Sequence, residues 1–189
     1  MEESQKTRIT VWIFATQGGR LAKLARQQRE EKKATVKALI AEGKKSREAR
    51  IIVAAMTWPA LEELVADAVR LRLAEPDLAG PWRPLSRTEA AELSLSGRWP
   101  GASKGISLVE RNYSLPSDLV ESLRTASWRV SVKTLRELHR KGLVGSGVKL
   151  TEEQKRQRDE LAERLHSPGR IVRQALARFG PTADTRDVS

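Results

Sequence analysis

Two stretches of the sequence concentrate lysine and arginine side chains, whose chemistry suits the neutralisation of phosphate groups. Residues 20–50 contain 11 basic and 4 acidic residues, and residues 111–150 contain 8 basic and 3 acidic ones. These two stretches carry net charges of +7 and +5, and the rest of the chain contributes −1 to the total of +11. Each phosphate that a cation neutralises releases condensed counterions, and this release drives binding to DNA or RNA. The charge therefore predicts a nucleic-acid-binding surface, and a solvated helix face is the alternative for each stretch.

The first basic stretch is predicted to be a long helix from Arg20 to Glu42, with another helix starting at Ser46. The middle of the long helix has no apolar face, so we expect it to project into solvent. A solvent-bridging or dimerising helix is an equally weighted alternative. The cations expected to contact phosphates in this stretch are Arg26, Arg29, Lys32, Lys33, Lys44 and Lys45.

The second basic stretch begins with an alternating segment at residues 106–115, which predicts a short strand. Pro116 then starts a helix, and Ser131 can cap a second, basic helix after a brief turn. This order of strand, helix, turn and helix resembles the ribbon-helix-helix DNA-binding family over residues 110–142. The first helix is shorter than is usual there, and Trp128 or Arg129 replaces the usual turn glycine.

In that family, one strand from each of two protomers forms a ribbon that enters the major groove of DNA. The resemblance implies a homodimer on double-stranded DNA in which Arg111 and either Asn112 or Ser114 contact base edges. Arginine can bond guanine, and asparagine can bond adenine. The residues implied at the phosphate-gripping start of the second helix are Arg129, Ser131 and Lys133.

The same stretch also resembles a winged helix. In that interpretation a recognition helix runs from Ser131 to Gly142, and a Gly-Ser-Gly turn before Leu150 forms a short wing. The residues that would then face DNA are Lys133, Arg136, Arg140 and Lys141. An ordinary helical hairpin with a capped second helix is the structural alternative to both resemblances.

Catalytic constellations are sparse in this sequence. There are two histidines and no cysteine, and no glycine-rich phosphate loop followed by Lys-Ser or Lys-Thr is present. The sequence therefore predicts a protein that is not an enzyme and that holds no metal or cofactor. One alternative is attachment to DNA through Tyr113, although its ring is more readily explained as part of the core.

The segments that must position these residues predict a mainly α-helical protein with one or two short strands. A β-branched and aromatic run at residues 8–14 predicts the first strand. We divide the chain into an N-terminal strand and basic helical region (1–78), a linker with a short helix (79–105), a DNA-binding helical domain (106–181) and a flexible tail (182–189).

The expected role is a sequence-specific transcriptional regulator or an accessory factor of a mobile element. The alternative is a structural subunit of a nucleoprotein complex that binds nucleic acid without reading it. Double-stranded DNA is the preferred partner, RNA is the second candidate and a homodimer is expected. No run of about 18 apolar residues or signal-peptide pattern occurs, so no membrane partner is expected and the predicted location is the cytoplasm, on the nucleoid.

Overall fold

The computed structural model describes residues 5–56, 58, 60–95, 107–145 and 147–178. The described residues are mainly helical with one antiparallel pair of strands, which confirms the predicted fold class. In chain order the elements are β1 (Lys6–Phe14), α1 (Ala15–Ala41), α2 (Ser46–Ala55), α3 (Leu61–Leu73), α4 (Arg87–Leu95), β2 (Leu108–Pro116), α5 (Ser117–Arg140), α6 (Glu152–Ala162) and α7 (Pro168–Arg178). The predicted tail, residues 96–105 of the predicted linker and residue 106 lie outside the described residues.

β1 and β2 form a two-stranded ribbon, although they are far apart in the sequence. Because side chains alternate between the faces of a strand, Ile9, Val11 and Ile13 share one face, and all three are buried. In β2, Tyr113 and Leu115 are buried on the same face. Both strands belong to one chain, so the ribbon needs no strand from a second protomer, in contrast to the ribbon that the ribbon-helix-helix resemblance implies.

One hydrophobic cluster joins the ribbon to helices from both halves of the chain. Its buried side chains come from both strands, α3, the first half of α5 and α7. A second cluster joins the last part of α5 to α6, around Trp128, Leu138 and Leu161. The predicted linker at residues 79–105 therefore does not separate two cores, because the first cluster combines residues from both sides of it.

Helices α1 and α2 form an arm, residues 15–56, that extends from this core. Helix α1 has 27 residues, and its buried positions are Gln17, Gly18 and Leu21, all in the first two turns. Gly43 makes the turn with a φ of 92°, which glycine adopts without strain. Helix α2 then packs on α1, with Ala49 and Val53 buried between them. The prediction that the long basic helix projects into solvent is confirmed for the part beyond Leu21.

The predicted break between two helices near residue 128 is wrong. Helix α5 is continuous from Ser117 to Arg140. Trp128 is buried in the second cluster, and Ser131 is fully buried, with its hydroxyl accepting the backbone N–H of His166 at 2.9 Å. Ser131 is therefore not an N-cap that could grip a phosphate, because its oxygen serves a tertiary contact.

The predicted wing is also wrong within the described part of the chain. Residues 143–145 and 147–150 contain no strand. Leu143 is buried in the second cluster, and Gly145 and Gly147 take positive φ values of 146° and 76°. This segment is a turn that leads into α6, where Thr151 and Gln154 cap the helix as their spacing predicts. No described helix has the length and apolar character needed to cross a membrane.

Candidate nucleic-acid interface

The exposed half of α1 displays a row of basic side chains. At 100° per residue, the half-buried positions of α1, such as Leu24, Gln28 and Leu39, lie on one side of the helix. The opposite half contains six exposed cations, namely Arg20, Lys23, Arg26, Arg29, Lys33 and Lys37. We call these six residues the α1 row. The charge of this helix is thus gathered on the half that α2 leaves open.

Most cations of the arm keep their charge uncompensated. Lys33 pairs with Glu30 at 3.1 Å, and Lys44 pairs with Glu48 at 3.3 Å. Lys32 lies over the ring of Trp58, 5.4 Å from its centre. The arm cations without an ion-pair partner among the described residues are Arg20, Lys23, Arg26, Arg29, Lys37, Lys45, Arg47 and Arg50. Of the six predicted phosphate contacts in this stretch, Arg26 and Lys45 are left fully open, and Arg29 donates through Nε to the Ala25 carbonyl at 3.1 Å but has no ion-pair partner among the described residues.

The outward face of the ribbon forms a second polar surface. Arg8 is opposite Ser114, and Thr10 is opposite Asn112 across the strands. Arg8, Thr10 and Asn112 are exposed, and Ser114 is half-buried. The Thr10 hydroxyl donates to the Asn112 side-chain oxygen at 2.6 Å, which orients the amide and leaves its N–H groups without a described partner. We call these four residues the ribbon face.

Arg111 does not belong to the ribbon face. It is opposite Val11, on the side of the ribbon that contains the core. Its side chain is exposed and lies beside Gly18 of α1. Its guanidinium donates to the Glu110 carbonyl at 3.0 Å. The predicted pairing of Arg111 with Asn112 or Ser114 is therefore wrong, because neighbouring residues of a strand point to opposite faces. Arg8 and Thr10 were missed, although the alternation of β1 already places them outward.

The basic side of α5 is partly covered by α4. Arg129 Nη1 lies 2.6 Å from Glu89 Oε1, with both side chains 16% exposed. Hydrogen bonds from Arg129 and the Ser86 backbone lower the pKa of Glu89 to about 2. Arg136 pairs with Glu92 at 3.3 Å. Arg129 is thus a structural cation, and its predicted contact with DNA is wrong in this conformation.

The remaining predicted cations of α5 lie at its exposed C-terminal part. Lys141 pairs with Glu137 at 3.0 Å. Lys133 and Arg140 are exposed and have no ion-pair partner among the described residues. Since α5 is a single helix, these residues do not form a recognition helix preceded by a turn. The second basic stretch therefore offers less uncompensated charge than its composition predicts.

Among the described residues, the titratable groups near the core do not come together as a catalytic site. Tyr113 is 4% exposed, and burial raises the pKa of its hydroxyl. The alternative of DNA attachment through Tyr113 is therefore wrong for this conformation, because the hydroxyl is out of reach of a phosphodiester. Burial also lowers the pKa of His166. Among the described residues, no group of three His, Asp or Glu side chains could hold a metal ion.

Comparisons with known proteins give no relative for this chain. No family model, curated protein or solved structure matches it. The interpretation of the surface therefore depends on its own residues and their geometry.

Proposed function

We propose that the chain binds double-stranded DNA, with the α1 row contacting phosphates and the ribbon face meeting base edges. The observation that carries this proposal is the α1 row itself, six cations on the one half of α1 that no other described element covers. From Arg20 to Lys37 the row extends about 26 Å at 1.5 Å per residue. That length is about three quarters of the roughly 34 Å rise of one duplex turn, so the row can contact several phosphates along one side of a duplex.

The ribbon face supports the second half of the proposal. A two-stranded ribbon has the width to enter the major groove, where an arginine can bond guanine and an asparagine can bond adenine. Arg8 and Asn112 supply these two groups on the same face. Because one chain makes the whole ribbon, a monomer can present it, and a homodimer would present two ribbons to adjacent half-sites. A role as a regulator or a mobile-element factor follows if this face reads sequence.

Salt dependence tests the proposal directly. The five cations of the α1 row that have no ion-pair partner among the described residues predict that log K for a random 20-base-pair duplex falls with log salt with a slope of about −4.5. Fluorescence anisotropy between 50 and 200 mM salt measures this slope, and a matched RNA duplex in competition tests the choice of nucleic acid. An affinity that stays constant over this range would contradict the proposal.

Sequence reading by the ribbon face makes a separate prediction. The double substitution Arg8→Ala and Asn112→Ala should lower the preference for a selected duplex over a random one by about 30-fold or more, because it removes two base contacts that are worth about 1–3 kcal/mol each. Affinity for random duplex should change by much less. Arg111→Ala is the matched control, since it removes a cation from the opposite face of the same ribbon. An equal effect of both variants would reject the ribbon face as the reader.

A structural subunit of a nucleoprotein complex is the second candidate. The ion pairs of Arg129 and Arg136 with α4 favour it, because they withdraw two cations from the stretch expected to give specificity. Phosphate contacts alone fix a protein on the duplex without reading its sequence. This candidate predicts equal affinity for random duplexes and for those recovered by selection.

A further inference from the structure

A pocket of about 280 Å³ lies between the end of β1, the end of α6 and the outer face of α7. Its walls include two arginines of α7, Arg170 and Arg173, and the ring of Phe14. Ala162 and Ala177 supply apolar surface. None of these residues belongs to the α1 row or the ribbon face, so the pocket is a distinct feature.

Both guanidinium groups are fixed by backbone carbonyls. Arg170 donates through Nη1 to the carbonyls of Glu163 and Leu165. Arg173 donates through Nη1 to the Trp12 carbonyl at 2.7 Å, and its guanidinium lies 5.8 Å from the centre of the Phe14 ring. The backbone of Arg173 is held in turn, because its carbonyl accepts from the Gln17 side chain at 2.7 Å. These contacts orient the two cations but do not neutralise them.

The positive charge of the pair is uncompensated in the described part of the chain. Neither guanidinium has a described carboxylate within 4.0 Å, although Glu163 is one of the residues that line the pocket. Burial and the nearby charge of Arg170 lower the pKa of Arg173. A half-buried cation without a counter-charge is costly, and an anion in the pocket would remove that cost. The Nε–H and Nη2–H groups of both arginines have no described acceptor and remain available.

We propose that this pocket binds a phosphate group through Arg170 and Arg173. Two guanidinium groups suit the tetrahedral oxygens of phosphate, because each can offer two parallel N–H donors. The phosphate belongs either to the backbone of a bound nucleic acid or to a free phosphorylated small molecule. The volume exceeds that of a phosphate alone, and the Phe14 ring offers a surface on which a flat ring could lie.

Thermal unfolding of the full chain tests the pocket with inorganic phosphate as the probe. At a phosphate concentration of ten times its Kd, Tm should rise by about 3–5 °C over chloride at equal ionic strength. Arg173→Met and Arg170→Gln should each lose most of this shift, while Arg124→Gln, an exposed cation of α5 outside the pocket, should keep it. Phosphate also stabilises folded proteins by its exclusion from their surface, so the part of the rise that supports the pocket is the part that the two pocket variants lose and Arg124→Gln keeps. If a pocket variant fails to fold, the absence of any rise of the wild-type Tm in phosphate still overturns the proposal.

Two further arms identify the source of the phosphate. If it is the nucleic-acid backbone, inorganic phosphate competes with a 20-base-pair duplex, and Arg173→Met lowers the salt slope by about 0.9. If it is a small molecule, adenosine monophosphate raises Tm more than inorganic phosphate does, and duplex binding by Arg173→Met is unchanged. Salt-sensitive duplex binding without any effect of phosphate on Tm would reject the pocket and leave the proposed function standing.

Discussion

Replacing Arg20, Lys23, Arg26 and Lys37 by glutamine is expected to weaken binding to random duplex by about 10³-fold at 0.15 M salt. The four side chains belong to the α1 row and have no ion-pair partner among the described residues. Removing four phosphate contacts should lower the magnitude of the slope of log K against log salt by about 3.6. If wild type and variant bind equally at 1 M salt, this difference in slope makes their affinities differ by about 10³-fold at 0.15 M. Anisotropy titrations of wild type and variant at several salt concentrations measure both quantities.

The matched control removes the same number of charges elsewhere. Arg70, Lys141, Lys155 and Arg156 are all paired with carboxylates three or four residues away. Changing these four to glutamine gives the same net charge as the first variant, but it should weaken binding by only about threefold, because long-range attraction is screened at this salt concentration. Glutamine keeps a helix propensity close to those of lysine and arginine, so circular dichroism should show unchanged helix content in both variants. An equal loss of affinity in the two variants would mean that net charge, and not the α1 row, governs binding.

Local signals in the sequence predicted the elements that position this surface. The alternation of Ile9, Val11 and Ile13 predicted β1 and its buried face. A strand that packs on one side places every second residue on its buried face, so the positions of the apolar residues identify that face. The polar middle of α1 predicted a projecting helix for a similar reason. The Thr151 and Gln154 cap is also a contact within one turn. Each of these features depends on residues that are neighbours in the chain.

The features that the sequence did not predict depend on distant partners. The pairing of β1 with β2 joins strands whose positions in the chain give no indication of register. Glu89 pairs with Arg129 although the two residues are forty positions apart in the chain. The sequence predicts an exposed cation at Arg129, whereas this pairing neutralises it. Ser131 has the residue type of an N-cap, yet its hydroxyl is used by the backbone of His166. A sequence pattern indicates which local structure or contact a residue favours, and tertiary contacts determine whether the residue adopts it.

The candidate site shows the same division within one helix. Arg26 and Arg29 were predicted as phosphate contacts and are open, while Lys32 rests on Trp58 and Lys33 pairs with Glu30. Charge counts could not separate these cases, because the counts ignore which half of α1 faces α2. The angular positions of the residues around α1 supply that information, and they show that six of the cations lie on one half of the helix as the α1 row. Because these cations share one exposed half of the helix, a duplex that approaches this half can contact several of them at once.

The largest loss of stability is expected from Arg72→Met. Arg72 is 4% exposed, and it donates to both carboxylate oxygens of Asp77, to Glu75 at 3.1 Å and to the Gln174 side chain at 3.0 Å. It thereby links α3 to α7, which are about 100 residues apart in the chain. Leaving a fully buried charge unpaired costs about 3–5 kcal/mol, and the loss here should be smaller, about 2–3 kcal/mol, because the Asp77 and Glu75 side chains that lose their partner are 47% and 29% exposed. Urea unfolding followed by circular dichroism measures this loss of the free energy of unfolding.

Arg70→Met is the control for this variant, because Arg70 lies two residues earlier on α3 in an exposed pair with Asp67. It should cost no more than about 1 kcal/mol. The Arg72 guanidinium lowers the pKa of Asp77 below its ordinary value. The stability that this shift contributes is present above the ordinary pKa of an aspartate and is lost as the pH falls through the lowered one. The difference between wild type and Arg72→Met should therefore shrink in acid, and a difference that stays constant with pH would show that packing of the Arg72 side chain, and not its charge, holds α3 against α7.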